Sequence, residues 1–190
     1  MKRILLAALV IAALPLVAQA GDLSYSYLQG GYQATDIDGL PNAHGYGGTG
    51  SFALGPNFQL HGGWARQDFN SSNVSFDDWN LGGGFHNPIN ATTDVVANVD
   101  YRQLSINGLS GDIKTYSGEV GLRSALAPQF EGWALAGYED GKNINGAVYG
   151  KLGGQYKFGK NESGSGWGLV AEAKFSKDIN QYFIGPRISF

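Results

Sequence analysis

The closing stretch, Gln181–Phe190, reads QYFIGPRISF, and its reading decides the fold. Counting back from Phe190, every second residue is apolar or neutral: Ile188, Pro186, Ile184, Tyr182. The interleaved set is Ser189, Arg187, Gly185, Phe183 and Gln181. Successive side chains on a strand point to opposite faces, so this segment has one apolar face and one mostly polar face. A strand that ends on an aromatic resembles the closing strand of bacterial outer-membrane β-barrels, where Phe190 would serve as an assembly signal. An ordinary strand that happens to come last is the competing reading.

The other end of the chain separates the two. Lys2 and Arg3 precede an apolar run from Ile4 to Val17, and Ala18-Gln19-Ala20 follows as a small-x-small cleavage site. That is the signature of a secretory signal peptide over residues 1–20, shorter than the ~18 apolar residues that begin to suggest a spanning helix. The barrel domain is therefore expected over residues 21–190. Loss of Lys2 and Arg3 takes the basic groups from 13 to 11 against 16 acidic groups, a net charge of −5. That balance argues against nucleic acid as a partner and against an electrostatic hold on anionic lipid. With no cysteine there is neither a lipid-anchor site nor a disulfide framework.

Composition and periodicity point the same way. Thirty glycines together with 13% aromatics are unusual in a soluble domain. About ten alternating segments follow one another, separated by turn signals such as Gly55-Pro56-Asn57, Asn87-Pro88 and Ala127-Pro128-Gln129. Leu28, Tyr32, Tyr46, Phe52, Phe58, Trp64, Trp79, Phe85, Val99, Tyr116, Val120, Tyr156 and Trp167 fall on the apolar faces. The segment FEGWALAG at 130–137 is apolar on both faces; Phe130, Ala134, Ala136 and Tyr138 are assigned outward to match the neighbouring strand. Segments of ten to thirteen residues suit a tilted bilayer crossing better than the ~5–6 residues of globular strands. The expected fold is all-β, a transmembrane antiparallel up-and-down barrel of ten strands, with eight as the alternative. Outer loops are expected near 35–43, 68–76, 105–112, 140–146 and 177–180. Their charges (Asp36, Asp38, Asp68, Asp77, Asp112, Asp140 and Lys142) make that rim acidic.

The face opposite the apolar one carries Asp100, Arg102, Glu119, Arg123, Lys151, Glu172, Lys174 and Arg187, expected to lie in the lumen. Arg102 is expected to pair with Glu119, and Glu172 with Arg187 or the neighbours of Lys174. Unpaired buried charges are costly, so these groups either neutralise one another in a packed interior or line water. A sealed structural barrel and a narrow passive pore both satisfy that requirement.

Nothing in the chain reads as catalytic. His61 and His86 fall on the lumen face and His44 at a loop edge, without a local His-x-Ser pattern. No His/Asp/Glu cluster has ligand spacing, so no metal or cofactor is expected; Asp77-Asp78 and Glu139-Asp140 read as solvated loop ends. Gly82-Gly83-Gly84 lacks the helix and Lys-Ser/Thr of a phosphate loop. An outer-membrane hydrolase is the minor alternative.

The stretches LSYSYLQGGYQAT (23–35), PNFQLHGGWARQDF (56–69), RSALAPQFEGWALAGYEDG (123–141) and YFIGPRISF (182–190) resemble a small outer-membrane-protein family of xanthomonads and their relatives. Its members are known as diffusible-signal-regulated or immune-activator proteins. The likeness spans nearly the whole chain and departs mainly in the loops and in GKNESGSG. It implies a non-catalytic Gram-negative outer-membrane barrel exported by the general secretory route, with links to motility, biofilm and virulence. Its implied partners are outer-membrane lipid, lipopolysaccharide and the barrel-assembly machinery. No site residues carry over from the family.

Overall fold

The computed structural model describes residues 23–70, 74–142, 144–160 and 166–190, so the expected signal peptide and most of the GKNESGSG turn lie outside it. Ten strands run in chain order: β1 Tyr27–Ile37, β2 Ala43–Leu54, β3 Phe58–Phe69, β4 Ser75–Pro88, β5 Thr93–Ile106, β6 Asp112–Ala127, β7 Phe130–Lys142, β8 Ile144–Lys160, β9 Gly166–Ser176 and β10 Ile179–Ser189. Each pairs antiparallel with its sequence neighbours, and β1 pairs with β10 to close the barrel. Ten strands hold and eight do not, because β7 and β8 form a full hairpin across the ambiguous 130–158 region.

Burial shows which way the sheet faces. Leu28, Val99, Val120, Val148 and Ile188 are exposed, each by more than half, whereas Glu131 is fully buried and Arg187 only 4% exposed. A soluble barrel has the opposite arrangement. An apolar exterior around a charged interior suits hydrocarbon, and closure removes the sheet edges that lipid could not hydrogen-bond. The chain is a transmembrane β-barrel. Every strand has at least eleven residues, enough to cross at a tilt.

Aromatic rings band the exterior near both ends. Trp79, Tyr101 and Tyr116 follow one another at centroid separations of 5.3 Å near the long-loop end. Phe58 with Phe85, and Tyr156 with Phe158 and Trp167, lie near the end that carries the short turns. Such girdles mark the two lipid–water boundaries.

The connections depart from expectation at several places. Strand β3 runs to Phe69, β5 to Ile106 and β6 from Asp112, and only position 143 separates β7 from β8. The segment assigned as a loop at 140–146 is therefore largely ladder, and the one at 68–76 is strand at both of its ends. Turn chemistry is simplest between β2 and β3, where Gly55 adopts φ 75°, a conformation that favours glycine before Pro56.

Lumen-facing glycines make room for neighbouring rings. The indole of Trp133 fills the space a Cβ at Gly153 would need, and the Tyr149 ring does the same at Gly137. At the closing seam, Cβ atoms on Gly31 or Gly185 would run into the opposite backbone. There the β1–β10 register passes from Gln29↔Arg187 to Tyr32↔Ile184, and Pro186 supplies no N–H.

Candidate functional site

The buried polar chemistry of the described residues concentrates in the lumen, which is built by alternation. Odd positions of β6 and β7 point inward, which brings Ser117, Glu119, Arg123, Glu131, Trp133 and Glu139 to one side of the interior. All eight charges singled out from the sequence line one cavity of about 280 Å³.

The densest part lies at the end where both termini emerge. Glu131 on β7 is surrounded by three cations: Arg123 Nη2 at 2.5 Å, Lys157 Nζ at 3.0 Å and Arg187 Nη1 at 3.7 Å. Arg187 also donates through Nε to Gln29 at 2.8 Å and through Nη1 to Gln155 at 3.3 Å. Its guanidinium lies 4.1 Å from the Tyr27 ring centroid and 5.1 Å from that of Trp133. One carboxylate thus organises four strands, β6, β7, β8 and β10.

The segment before β1 completes this end. Tyr25 is buried and stacks on His86, with centroids 3.5 Å apart and rings within 9° of parallel. Its hydroxyl donates to Asp94 at 2.8 Å, and Arg123 lies 4.7 Å from its centroid. Burial pushes the Tyr25 phenol well above its ordinary range, so it stays a donor. Ser51 Oγ donates to the Tyr25 carbonyl at 2.8 Å, and the Phe190 N–H donates to the Ser26 carbonyl at 3.0 Å. The Phe190 ring itself is exposed.

Further along the axis the pairs are more separate. Lys151 meets Glu119 at 2.8 Å, and Glu119 also accepts from Asn98 at 2.9 Å and Tyr149 at 3.0 Å. Asp100 contacts His61 Nε2 at 2.7 Å. Lys174 meets Glu139 at 2.6 Å and lies 4.0 Å from the Tyr149 ring centroid. Arg102 grips Asp78, with Nε donating to both carboxylate oxygens at 2.8 Å. At the loop end Thr35, Ala43, Gln67 and Phe76 are buried, and Thr35 donates to Gln67 at 2.9 Å.

Several expected pairings are corrected. Arg102 does not meet Glu119, because the register sets Arg102 opposite Thr115, four residues or about 13 Å from Glu119 along the strand. Asp78, diagonal to Arg102 across the Asn80↔Arg102 pair, takes its place. Glu172 accepts from Trp133 Nε1 at 2.8 Å instead of pairing with Arg187. Asp78 and Glu139 are interior ion-pair partners and not solvated loop ends, whereas Asp77, 3.7 Å from Arg66, and the exposed Asp140 face outward as expected. Glu131 went unnoticed beside the lumen charges, although outward Phe130 fixes it inward by parity.

Among the described residues no group of three or more His, Asp or Glu side chains could hold a metal ion. No described histidine hydrogen-bonds a serine or threonine hydroxyl: His61 is held by Asp100, and His86 lies against Tyr25 with Asp94 at 3.8 Å.

The fold is similar to that of the β domain of the Bordetella autotransporter BrkA, at a TM-score of 0.50 and 14% identity over 89% of this chain and all of that one. The KdgM porin gives 0.48 and 14% identity over 86% of this chain and 99% of that one. The outer membrane protein OprG from Pseudomonas aeruginosa gives 0.46 and 11% over 91% and 99%. No family model matches the chain, and no curated protein matches it. The likeness to the BrkA β domain bears on the fold alone.

Proposed function

We propose that this protein is a non-catalytic outer-membrane barrel, exported through the general secretory route, with a structural or interaction role at the cell surface. The observation that carries the reading is the Glu131 cluster. Three cations converge on one buried carboxylate where the lumen would have to conduct, and Tyr25 stacks beneath them. Small barrels commonly fill their interior with side chains in this way. The resemblance to the xanthomonad family supports a surface role connected with biofilm, motility or virulence. Outer-membrane barrels carry short periplasmic turns and longer extracellular loops, so the end with both termini faces the periplasm and the longer loops face outward.

Fractionation with heat-modifiable gel mobility tests the location. Folded protein in the outer membrane is expected; recovery as a soluble periplasmic protein after osmotic shock would overturn it. Planar-bilayer recording tests the closed lumen, with no steady single-channel current expected from folded protein.

A second reading, a narrow passive pore, is favoured by the cavity that runs between these ion pairs. Steady current whose ion preference changes on Lys151→Glu would establish it over the sealed barrel.

A further inference from the structure

Outside the lumen, the outward face of β6 and β7 carries two lysines directly opposite each other. Lys114 and Lys142 are register partners. Both are exposed, and both share the outward parity of Tyr116, Val120 and Tyr138. Opposed residues on an antiparallel pair have Cβ atoms roughly 4.5–5.5 Å apart, and like charges so placed destabilise the sheet. Among the described residues neither ammonium has a carboxylate partner. The nearby carboxylates are engaged elsewhere: Asp112 accepts from Gln103 and Ser105 at 2.6 Å each, and Asp140 accepts from the Gly141 N–H at 2.8 Å.

Depth specifies the counter-ion. Tyr116 belongs to the Trp79–Tyr101–Tyr116 girdle, which sits at the lipid–water boundary. Lys114 is two residues further from the membrane centre on the same face, about 6.6–6.8 Å along the strand. That is the level of lipid headgroups. Two ammonium groups a few ångströms apart, with flexible stems, can share the oxygens of one phosphate, which lysine binds as a point charge.

We propose that Lys114 and Lys142 form a clamp for a phosphate group of an outer-leaflet lipid. The acyl chains of that lipid lie along Tyr116, Val120 and Tyr138. The inference rests on the outer-membrane reading, which places this end of the barrel in the outer leaflet. Asp112 and Asp140 flank the pair on the same outward face, each two residues from a lysine along its strand, and Asp36, Asp38, Asp68 and Asp178 lie elsewhere on this rim, so the lysine pair localises an anionic headgroup on an otherwise acidic rim.

The test uses the full barrel refolded in detergent and native mass spectrometry with two lipid probes. One is a bisphosphorylated diglucosamine lipid, the other its dephosphorylated form with the same acyl chains. Wild type is expected to retain the phosphorylated lipid preferentially. Lys114→Gln/Lys142→Gln is expected to weaken that retention on the order of thirtyfold and leave the dephosphorylated lipid unchanged. Lys114→Arg/Lys142→Arg is expected to keep it. Unchanged retention in the glutamine variant, or equal loss of both lipids, would overturn the clamp. Saturable binding of inorganic phosphate alone, abolished by the glutamine pair, would overturn the assignment to lipid. Heat-modifiable mobility of each variant, read separately, reports the barrel itself, so failure of the clamp is distinguishable from failure of the membrane reading.

Discussion

Glu131→Gln should be the most damaging conservative substitution in the barrel. The carboxylate is fully buried, and it faces Arg123 at 2.5 Å, Lys157 at 3.0 Å and Arg187 at 3.7 Å. Removing one partner of a buried ion pair costs about 3–5 kcal/mol, mostly from the charge left behind. Glutamine keeps the volume and one carbonyl acceptor, which favours the lower part of that range. Against this, three cations lose their shared anion, and Asp94 is held by the Tyr25 hydroxyl. The expected loss is about 3–4 kcal/mol, measured by reversible denaturant unfolding in thin phosphatidylcholine vesicles and followed by tryptophan fluorescence. Adding Arg123→Met to Glu131→Gln removes one of the orphaned cations. The pair should therefore cost less than the sum of the singles by at least ~1 kcal/mol. A loss below ~1 kcal/mol for Glu131→Gln, or strict additivity of the pair, would refute the hub.

Three further outcomes follow from named contacts. Val120→Arg should destabilise the inserted barrel by roughly 2–4 kcal/mol, the scale for a basic residue near the bilayer midplane, and a neutral result in the same unfolding assay would contradict the lipid-facing assignment. Gly153→Val sets branched carbons where the Trp133 indole lies, so a loss of about 1–3 kcal/mol from overpacking is expected, with a shifted Trp133 emission; wild-type stability and emission would show that the ring does not need that gap. Burial raises the Tyr25 phenol above its ordinary value of 10.0, so the folded state keeps a proton that the unfolded chain releases. This contribution is intact below about pH 10 and declines as pH rises past it, so Tyr25→Phe should flatten the alkaline fall in stability, and an unchanged slope would count against the buried phenol.

The faces of the barrel were legible because period-two alternation is a local property. Trp64, Trp79, Val99, Val120 and Tyr156 read outward from their immediate neighbours, and they are outward. Strand count followed from the turn residues at Pro56, Pro88 and Pro128. FEGWALAG had no polar face to read, and the outward assignment of Phe130, Ala134, Ala136 and Tyr138 came by analogy with the segment ending in Tyr101; the β6–β7 register agrees with it. The loop expected at 140–146 is shorter because Asp, Asn and Gly there resemble turn chemistry, while β7 runs to Lys142 and β8 starts at Ile144.

Partners within the lumen were hidden for a geometric reason. Lys151 on β8 reaches Glu119 on β6, Lys174 on β9 reaches Glu139 on β7, and His61 on β3 reaches Asp100 on β5. Each pair skips a strand, and a small residue or a ring borders the crossing: Gly137 makes room for the Tyr149 ring that shares Glu119 with Lys151, Tyr149 lies beside Lys174, and Gly82 lies between His61 and Asp100. Sheet curvature and tilt create these contacts, and neither is encoded within one strand. The same geometry ties closure to charge balance. A ten-stranded barrel leaves a lumen too wide for adjacent-strand pairs to fill, so side chains long enough to span an intervening strand occupy it. Lysine, arginine and glutamate have that reach, and in a water-poor interior they persist only as mutually neutralising sets. The charge pattern that first suggested a conduit is thus also what the closed barrel requires, and conductance of the folded protein is the property on which the two readings divide.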